Sequence, residues 1–403
     1  MNQQRRKSVV SGYLFLLLIS AVYSFTNTSL EIKGILSTFV IIIESLFFLL
    51  FLYFVGRYNI KKLLKIAFLL SVGGIHYLMT RETVFLMMLM VAVIFTELDY
   101  RRAFKLLFFE RLFFLTLIVF FSLTGILSVQ KTEVFKGGLG INTFGYGLGF
   151  NHPNQLAYNV GLLLLFYICY KGENLRQRHI IEMALVAIGC YAITKTRTIL
   201  VINIVLLLLL ETYCVKLYRQ TLFTKRSSSV LAFSPWIMPI CALAALGLPI
   251  LMSTATGRFK EILYVLNGLI GSRFTHSARV FDLYPIPLWG GIVDFRLLQS
   301  NFGYAIVDNG YLCLLYDFGI VGFSLFIILY FLSMRILADK KEYVFLIAII
   351  AVALWGITEN ILRSFAINFT VVFWAECIKK GDGINAEYSA VGSKQPYRIS
   401  GTN

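Results

Sequence analysis

Apolar runs of membrane-crossing length recur along the whole of this 403-residue chain. A helix needs about 17 to 25 predominantly apolar residues to cross a hydrocarbon core, because each residue advances it by only about 1.5 Å. Runs that meet or approach that length lie at 9–25, 34–55, 63–80, 83–96, 112–130, 155–170, 179–193, 198–215, 231–252, 308–333, 343–357 and 364–378, about twelve in all. Only 14% of the residues are charged, 58% are hydrophobic and the mean hydropathy is +0.76, whereas a soluble domain carries about 25% charged residues. The expected fold is all-α and polytopic: one transmembrane domain over 1–378 with about twelve helices, then a polar cytoplasmic tail, 379–403, whose composition favours disorder.

Lys and Arg collect on the cytoplasmic side of membrane proteins. With Arg5, Arg6 and Lys7 inside, every second connection is basic: Arg57, Lys61 and Lys62; Arg101, Arg102 and Lys105; Lys171, Arg176 and Arg178; Lys216, Arg219, Lys225 and Arg226; Arg335, Lys340 and Lys341; Lys379 and Lys380. Both termini are therefore expected in the cytoplasm, with the charged start acting as an uncleaved signal anchor. The net charge of +16 is dispersed over short loops, which speaks for topology and anionic headgroups rather than nucleic acid. Cys169, Cys190, Cys214, Cys241, Cys313 and Cys377 sit in or beside apolar runs without close pairing, so neither disulfides nor a zinc site is expected. No connection on the inner side holds a phosphate-binding loop or room for a nucleotide domain.

Two outer connections are long, about 130–154 and about 253–307, and functional sites favour such segments. The first reads KTEVFKGGLGINTFGYGLGFNHPN. Its Gly137, Gly138, Gly140, Gly145, Gly147 and Gly149 alternate with Phe144, Tyr146 and Phe150: glycine admits close backbone approach, and aromatic rings offer flat faces to sugars or lipids. Pro153 suits a first helical position, so Asn151 or His152 is expected to cap the helix that follows. The unpaired N–H groups of that helix start would also seat a phosphate.

Three further stretches stand out. TKTRTIL, 194–200, places Lys195 and Arg197 at the outer boundary, against the usual charge bias. The large outer loop carries Arg258, Lys260, Arg273, Arg279 and Arg296 against Glu261, Asp282 and Asp294, an excess suited to an anionic ligand because guanidinium forks match phosphate oxygens. VDNGYLCLLYDFGIVG, 307–322, sets Asp308 and Asn309 at the start of a run in which Gly319 and Gly322 would admit a neighbouring helix. Asp317 and Glu44 lie deeper within apolar segments, where carboxylates are functional candidates.

Together GFNHPNQLA, TKTRTIL, GSRFTHSARVFDLYPIPLWGG and DNGYLCLLYDFGIVG, in this order and with one large outer loop, resemble the Wzy-type polysaccharide polymerases and their relatives the O-antigen ligases. The ligases carry a histidine, a small polar residue, nine spacers and G-x-x-G; here Asp308 stands at the histidine position while Asn309, Gly319 and Gly322 fit, which favours a polymerase. The resemblance implies a GT-C-like glycosyltransferase of the bacterial cytoplasmic membrane with its active site facing outward. It would transfer glycan from undecaprenyl diphosphate to a hydroxyl of another lipid-linked repeat unit, with neither cofactor nor metal. Its partners would be the lipid-linked oligosaccharide and membrane lipid, with room for a chain-length regulator.

The resemblance also assigns roles. Arg197 and Arg273 would neutralise the departing diphosphate. Asp308, or in second place His152, would accept the proton of the attacking hydroxyl. Arg279, Asn154, Asn309, Lys195 and Tyr146 would contact substrate. The rivals are a ligase and, from another class, a lipid-linked oligosaccharide flippase or ion-coupled permease. A transporter of that kind usually shows an internal repeat and interrupted helices meeting at the midplane. No repeat is evident, and the polar features gather at the outer edge. A structural scaffold would leave the outer arginines without a purpose.

Overall fold

The computed structural model describes residues 3–25, 28, 35–55, 59–136, 141–218, 233–269, 272–291, 293, 295–303, 307–363 and 367–379. Gly137, Gly138, Gly140, Arg57, Arg219, Lys225, Arg226, Asp294 and the tail from Lys380 onward lie outside them, as do the side chains of Arg5, Lys216 and Glu44.

Helices α1 (Gln3–Ser24) and α2 (Ile35–Val55) pack as an antiparallel pair. Helix α3 (Ile60–Thr80) begins where the Asn59 side chain accepts the Lys61 N–H at 3.2 Å, and ends where Arg81 turns left-handed at φ 63°. Helix α4 (Val84–Ile94) is apolar on every side, and Met88 to Ile94 are all buried. Eleven residues reach only about 16 Å, so α4 serves as an internal pillar. Asp99 accepts the Arg102 N–H at 2.8 Å and starts α5 (Tyr100–Leu123).

Two strands follow, β1 (Lys131–Lys136) and β2 (Ile141–Tyr146), paired antiparallel with Lys131 opposite Tyr146. Then come α6 (Pro153–Lys171), α7 (Gln177–Thr194), α8 (Arg197–Tyr218) and α9 (Ile237–Thr254). The large outer segment folds into α10 (Gly257–Leu269), α11 (Arg273–Leu283) and α12 (Phe295–Phe302), and α13 (Gly310–Asp339) and α14 (Tyr343–Thr358) complete the bundle. A buried 3-10 turn, Phe369–Trp374, leads into α15 (Ala375–Lys379).

The molecule is a polytopic helical membrane protein. Among the described residues six helices are long and apolar enough to cross a bilayer: Arg6–Ser24, Ile60–Thr80, Tyr100–Leu123, Arg197–Cys214, Ser234–Thr254 and Gly310–Asp339. That count is short of the expected twelve, and the pattern departs from the sequence reading in specific places. The run at 112–130 is the later half of a helix that starts at Tyr100, because Asp99 caps it and the stems of Arg101, Arg102 and Lys105 ride on its first turns. The run at 364–378 is no continuous helix: the Asn368 side chain donates to the Leu362 carbonyl and its oxygen accepts from Tyr330, which holds the chain in a turn. The 130–154 connection contains the hairpin, the one sheet among the described residues of an otherwise helical chain.

Helix α13 is interrupted. Gly319 stands at φ 66° and ψ 179°, a conformation open essentially to glycine alone. Segment 287–291 docks into the gap: the Ile320 and Val321 N–H groups donate to the Pro287 and Leu288 carbonyls at 3.0 and 3.1 Å, and the Gly291 N–H donates to the Tyr316 carbonyl at 2.8 Å. His76 Nε2 lies 2.9 Å from the Asp317 carbonyl oxygen and completes the set. A backbone break at membrane depth is tolerated where protein satisfies the freed groups. The glycine therefore admits a loop, where a helix was expected: a Cβ on Gly319 would lie 2.3 Å from the Gly290 nitrogen.

One end of the bundle is basic and cross-linked. There Lys62 pairs with Glu97 at 2.8 Å, Arg101 with Glu173 at 3.4 Å, and Lys340 and Lys379 both with Glu376. Tyr100 donates to Glu376 at 2.8 Å and lies under the Lys379 ammonium. Helix α14 runs from this end to the opposite one, where its last residue hands over to Glu359.

Candidate functional site

Four helix starts meet at the end of the bundle opposite the Glu376 cluster. At the first, His152 is extended (φ −152°, ψ 145°) and its Nδ1 accepts the Asn154 N–H at 3.1 Å, with Pro153 at the first helical position of α6. His152 rather than Asn151 is the cap. Burial lowers the His152 pKa and the nearby Asp308 raises it, with the net effect downward, so the ring is neutral at pH 7 and able to accept that bond.

The Asn154 Oδ1 accepts from Thr196 Oγ1 at 3.0 Å, which ties the start of α6 to the start of α8. Lys195 is left-handed at φ 57° and closes α7 through its N–H to the Tyr191 carbonyl. It thus contributes its backbone to the turn. Arg197, the first residue of α8, is exposed and forms no ion pair among the described residues. Its neighbour Thr198 points inward. The hairpin rests on this same turn: a Cβ on Gly145 would lie 2.4 Å from the Thr194 carbonyl oxygen and 3.2 Å from the Pro153 ring. At that position glycine serves packing of the hairpin against α7, while Tyr146 beside it is exposed.

Arg273, the first residue of α11, occupies the centre. Its Nη1 donates to Thr198 Oγ1 at 3.1 Å, its Nη2 to Glu359 Oε1 at 2.6 Å, and its Nε lies 3.6 Å from Asp308 Oδ2. The Arg273 side chain is 15% exposed, that of Asp308 28% and that of Glu359 1%. The second Glu359 oxygen accepts from the Tyr158 hydroxyl of α6. Glu359 stands one residue beyond the end of α14, where burial pushes its carboxyl up to about 7 although Arg273 pulls the other way.

Asn309 fixes the start of α13 and the position of α11 together. Its Oδ1 accepts the Leu312 N–H at 3.1 Å, and its amide donates to the Ala245 carbonyl at 2.7 Å and to Ser277 Oγ at 3.1 Å. These bonds occupy both faces of the buried amide, which makes Asn309 a positioning residue. Asn267 of α10 does the same for the start of α11, accepting the Phe274 N–H at 3.0 Å and donating to Thr275 at 2.8 Å. Arg279, two turns along α11, lies over the Phe302 ring at 4.7 Å and 3.4 Å from His276 Nδ1. Burial lowers the His276 pKa, Arg279 lowers it further and Asp308 opposes both.

The structure therefore brings His152, Asn154, Arg273 and Asp308 together. It sets Arg279 to one side, Arg197 and Tyr146 on the exposed rim, and Lys195 and Asn309 in structural positions. Arg258 is exposed on α10 and Asp317 pairs with Arg363 at 3.2 Å in a separate cluster. Glu359, Tyr158 and Thr198 were not singled out from the sequence. Glu359 left one trace, a lone carboxylate in ITEN between two apolar runs.

The electrostatics follow from the geometry. The N-terminus of a helix carries about half a positive charge and unpaired N–H groups. The starts of α6, α8, α11 and α13 meet here, joined through Asn154–Thr196, Thr198–Arg273 and Arg273–Asp308. Arg273 stands among these helix starts, and the Asp308 carboxylate beside it is partly exposed. Among the described residues no three His, Cys, Asp or Glu side chains are grouped to hold a metal ion. Comparison with protein-family models, curated proteins and solved structures finds no match to this chain.

Proposed function

We propose that this chain is a membrane glycosyltransferase that polymerises lipid-linked oligosaccharide repeat units, drawing glycan from undecaprenyl diphosphate. The observation that carries this reading is the meeting of Arg273 with four helix starts beside a half-buried carboxylate. Such an arrangement suits a reaction whose leaving group is a diphosphate and whose attacking group must lose a proton.

In the proposed step the acceptor hydroxyl gives its proton to Asp308 as its oxygen bonds to the anomeric carbon. The bond from that carbon to the phosphate oxygen breaks, and its electron pair leaves with the diphosphate. Arg273 takes up the growing negative charge, with the positive ends of the helix dipoles around it. A Glu359 carboxyl that titrates near 7 holds Arg273 in place without cancelling its charge in full. Arg197, exposed at the start of α8, is placed to reach a second phosphate oxygen or the substrate headgroup. The energy comes from the lipid-linked donor, in keeping with a chain that lacks a nucleotide-binding motif.

Sidedness supports the same reading. The basic end fits the cytoplasmic face of a bacterial inner membrane, with both termini there, which directs Arg273 and Asp308 to the outer face where the carrier presents finished repeat units.

Deletion of the gene should abolish long surface glycan while single repeat units are still made and displayed. Repeat units trapped on the cytoplasmic leaflet would instead identify a flippase, and normal polymer lacking attachment to its final acceptor would identify a ligase. Arg273→Lys, which keeps a charge but loses the planar fork, should lose most elongation while the protein remains in the membrane at normal amount. Elongation at the normal rate in that variant would overturn the role given to Arg273.

A further inference from the structure

We propose that the cleft between α3, α13 and α15 at the basic end binds the phosphodiester of an anionic phospholipid from the adjoining leaflet. The cleft has a volume of about 140 Å³ and is lined by Lys65, Leu332, Arg335, Ile336 and Cys377. Two of its lining residues, Leu332 and Arg335, are exposed, and it shares no residue with the Arg273 site.

Two cations from different helices meet there, and they are held differently. Lys65 is half-buried, and its ammonium donates to the Cys377 and Ile378 carbonyls at 2.9 and 3.4 Å, which keeps it at the mouth of the cleft. Arg335 is exposed and forms no ion pair among the described residues, although Lys340 and Lys379 nearby both share Glu376. A guanidinium offers two parallel donors to one phosphate, while an ammonium acts as a point charge beside it.

The surface next to the cleft has the order of a lipid. Phe68 lies one turn beyond Lys65 towards the middle of α3, and Leu332 and Ile328 lie one and two turns from Arg335 towards the middle of α13; all three are exposed. Charge at the bundle end and an apolar track leading away from it match a headgroup and its acyl chain. A free anion would use the two cations and leave the track bare. Basic pockets between membrane helices are suited to anionic headgroups, since each cation is attracted by the negative potential of such a surface.

The test uses the full-length protein purified in a neutral detergent, with thermal unfolding followed on addition of phosphatidylglycerol, phosphatidylcholine or inorganic phosphate. Phosphatidylglycerol should raise the Tm by a few degrees, phosphatidylcholine should raise it much less, and phosphate alone should leave it unchanged. Arg335→Glu, an exposed substitution outside the Arg273 site, should unfold at the wild-type temperature without lipid and lose the phosphatidylglycerol shift. Native mass spectrometry should show retained phosphatidylglycerol on the wild type and less on Arg335→Glu. Equal shifts from the two lipids, an undiminished shift in Arg335→Glu, or a full shift from phosphate alone would each overturn the proposal.

Discussion

Arg273 and Glu359 are 86 residues apart in sequence and 2.6 Å apart in space, so neither could be assigned its partner from local pattern. Arg273 was legible as a cation in an outer loop with an excess of arginine. Glu359 was less so, because a single acid beside an apolar run reads equally as a solvated turn. The burial of Glu359 makes a measurable difference. Its folded pKa of about 7 lies above the ordinary 4.5, so the folded state holds the proton more tightly than the unfolded one. The stability this contributes is complete below about 4.5 and is lost as pH rises through about 7. Glu359→Gln should flatten that part of the Tm-against-pH curve in detergent; an unchanged slope would assign it to another group. His152 has the opposite sign. Its pKa is lowered, so the neutral ring that accepts the Asn154 N–H persists below the usual 6.5, and the cap is lost as acid finally protonates Nδ1. Transfer from a lipid-linked donor should fall on that acid limb. His152→Asn, which can still cap a helix, should keep activity at pH 7.5 and shift the limb to lower pH; a limb that stays in place would exclude His152 as its source.

Among the elements, the start of α6 was readable because proline suits a first helical position, and that of α13 because the polar Asp308 and Asn309 open an apolar run, although the cap falls to Asn309 and not to Asp308. Length was also readable where apolar runs were unbroken. Two kinds of feature were hidden. The first is the sheet: β1 and β2 flank a run of glycines and carry aromatic residues that fit a loop equally well. The second is the break in α13. Gly319 and Gly322 fit the pattern of close helix packing, and nothing within the run reveals that 287–291 will occupy the gap. Gly319→Ala should therefore cost more than a helix-packing glycine would, about 1–3 kcal/mol from backbone conformation alone with a clash against Gly290 added. The checks are a lower Tm and faster proteolysis within 285–291; a variant with wild-type Tm and protection would mean that α13 can close without the loop.

At the scale of the whole molecule, composition alone established a membrane protein, and alternation of basic connections placed the lysine-rich segments together. The structure gathers Lys62, Arg101, Lys340 and Lys379 at one end and Arg273, Asp308 and His152 at the other. Accessibility should follow that division. In intact cells a membrane-impermeant maleimide should label Phe144→Cys in β2 and should reach Asp339→Cys at the end of α13 only after permeabilisation. The native cysteines are buried or half-buried and should give a low background. The reverse pattern would turn the Arg273 site to the cytoplasm and remove the support that sidedness gives to polymerisation. The number of crossings was the part of the architecture least accessible to sequence, since internal pillars such as α4 are as apolar as true spans and are told apart by what surrounds them.

The interruption at Gly319 also bears on how the chain is assembled. Segment 287–291 is synthesised before 316–321, so the carbonyls of Pro287 and Leu288 already exist when the later amides leave the ribosome. Biogenesis can deliver the acceptors first, and the second half of α13 need not wait in lipid with bare N–H groups. Reversing that order, for example by circular permutation between α12 and α13, should produce a protein that inserts slowly and is cleared by quality control even though every native contact remains available to it.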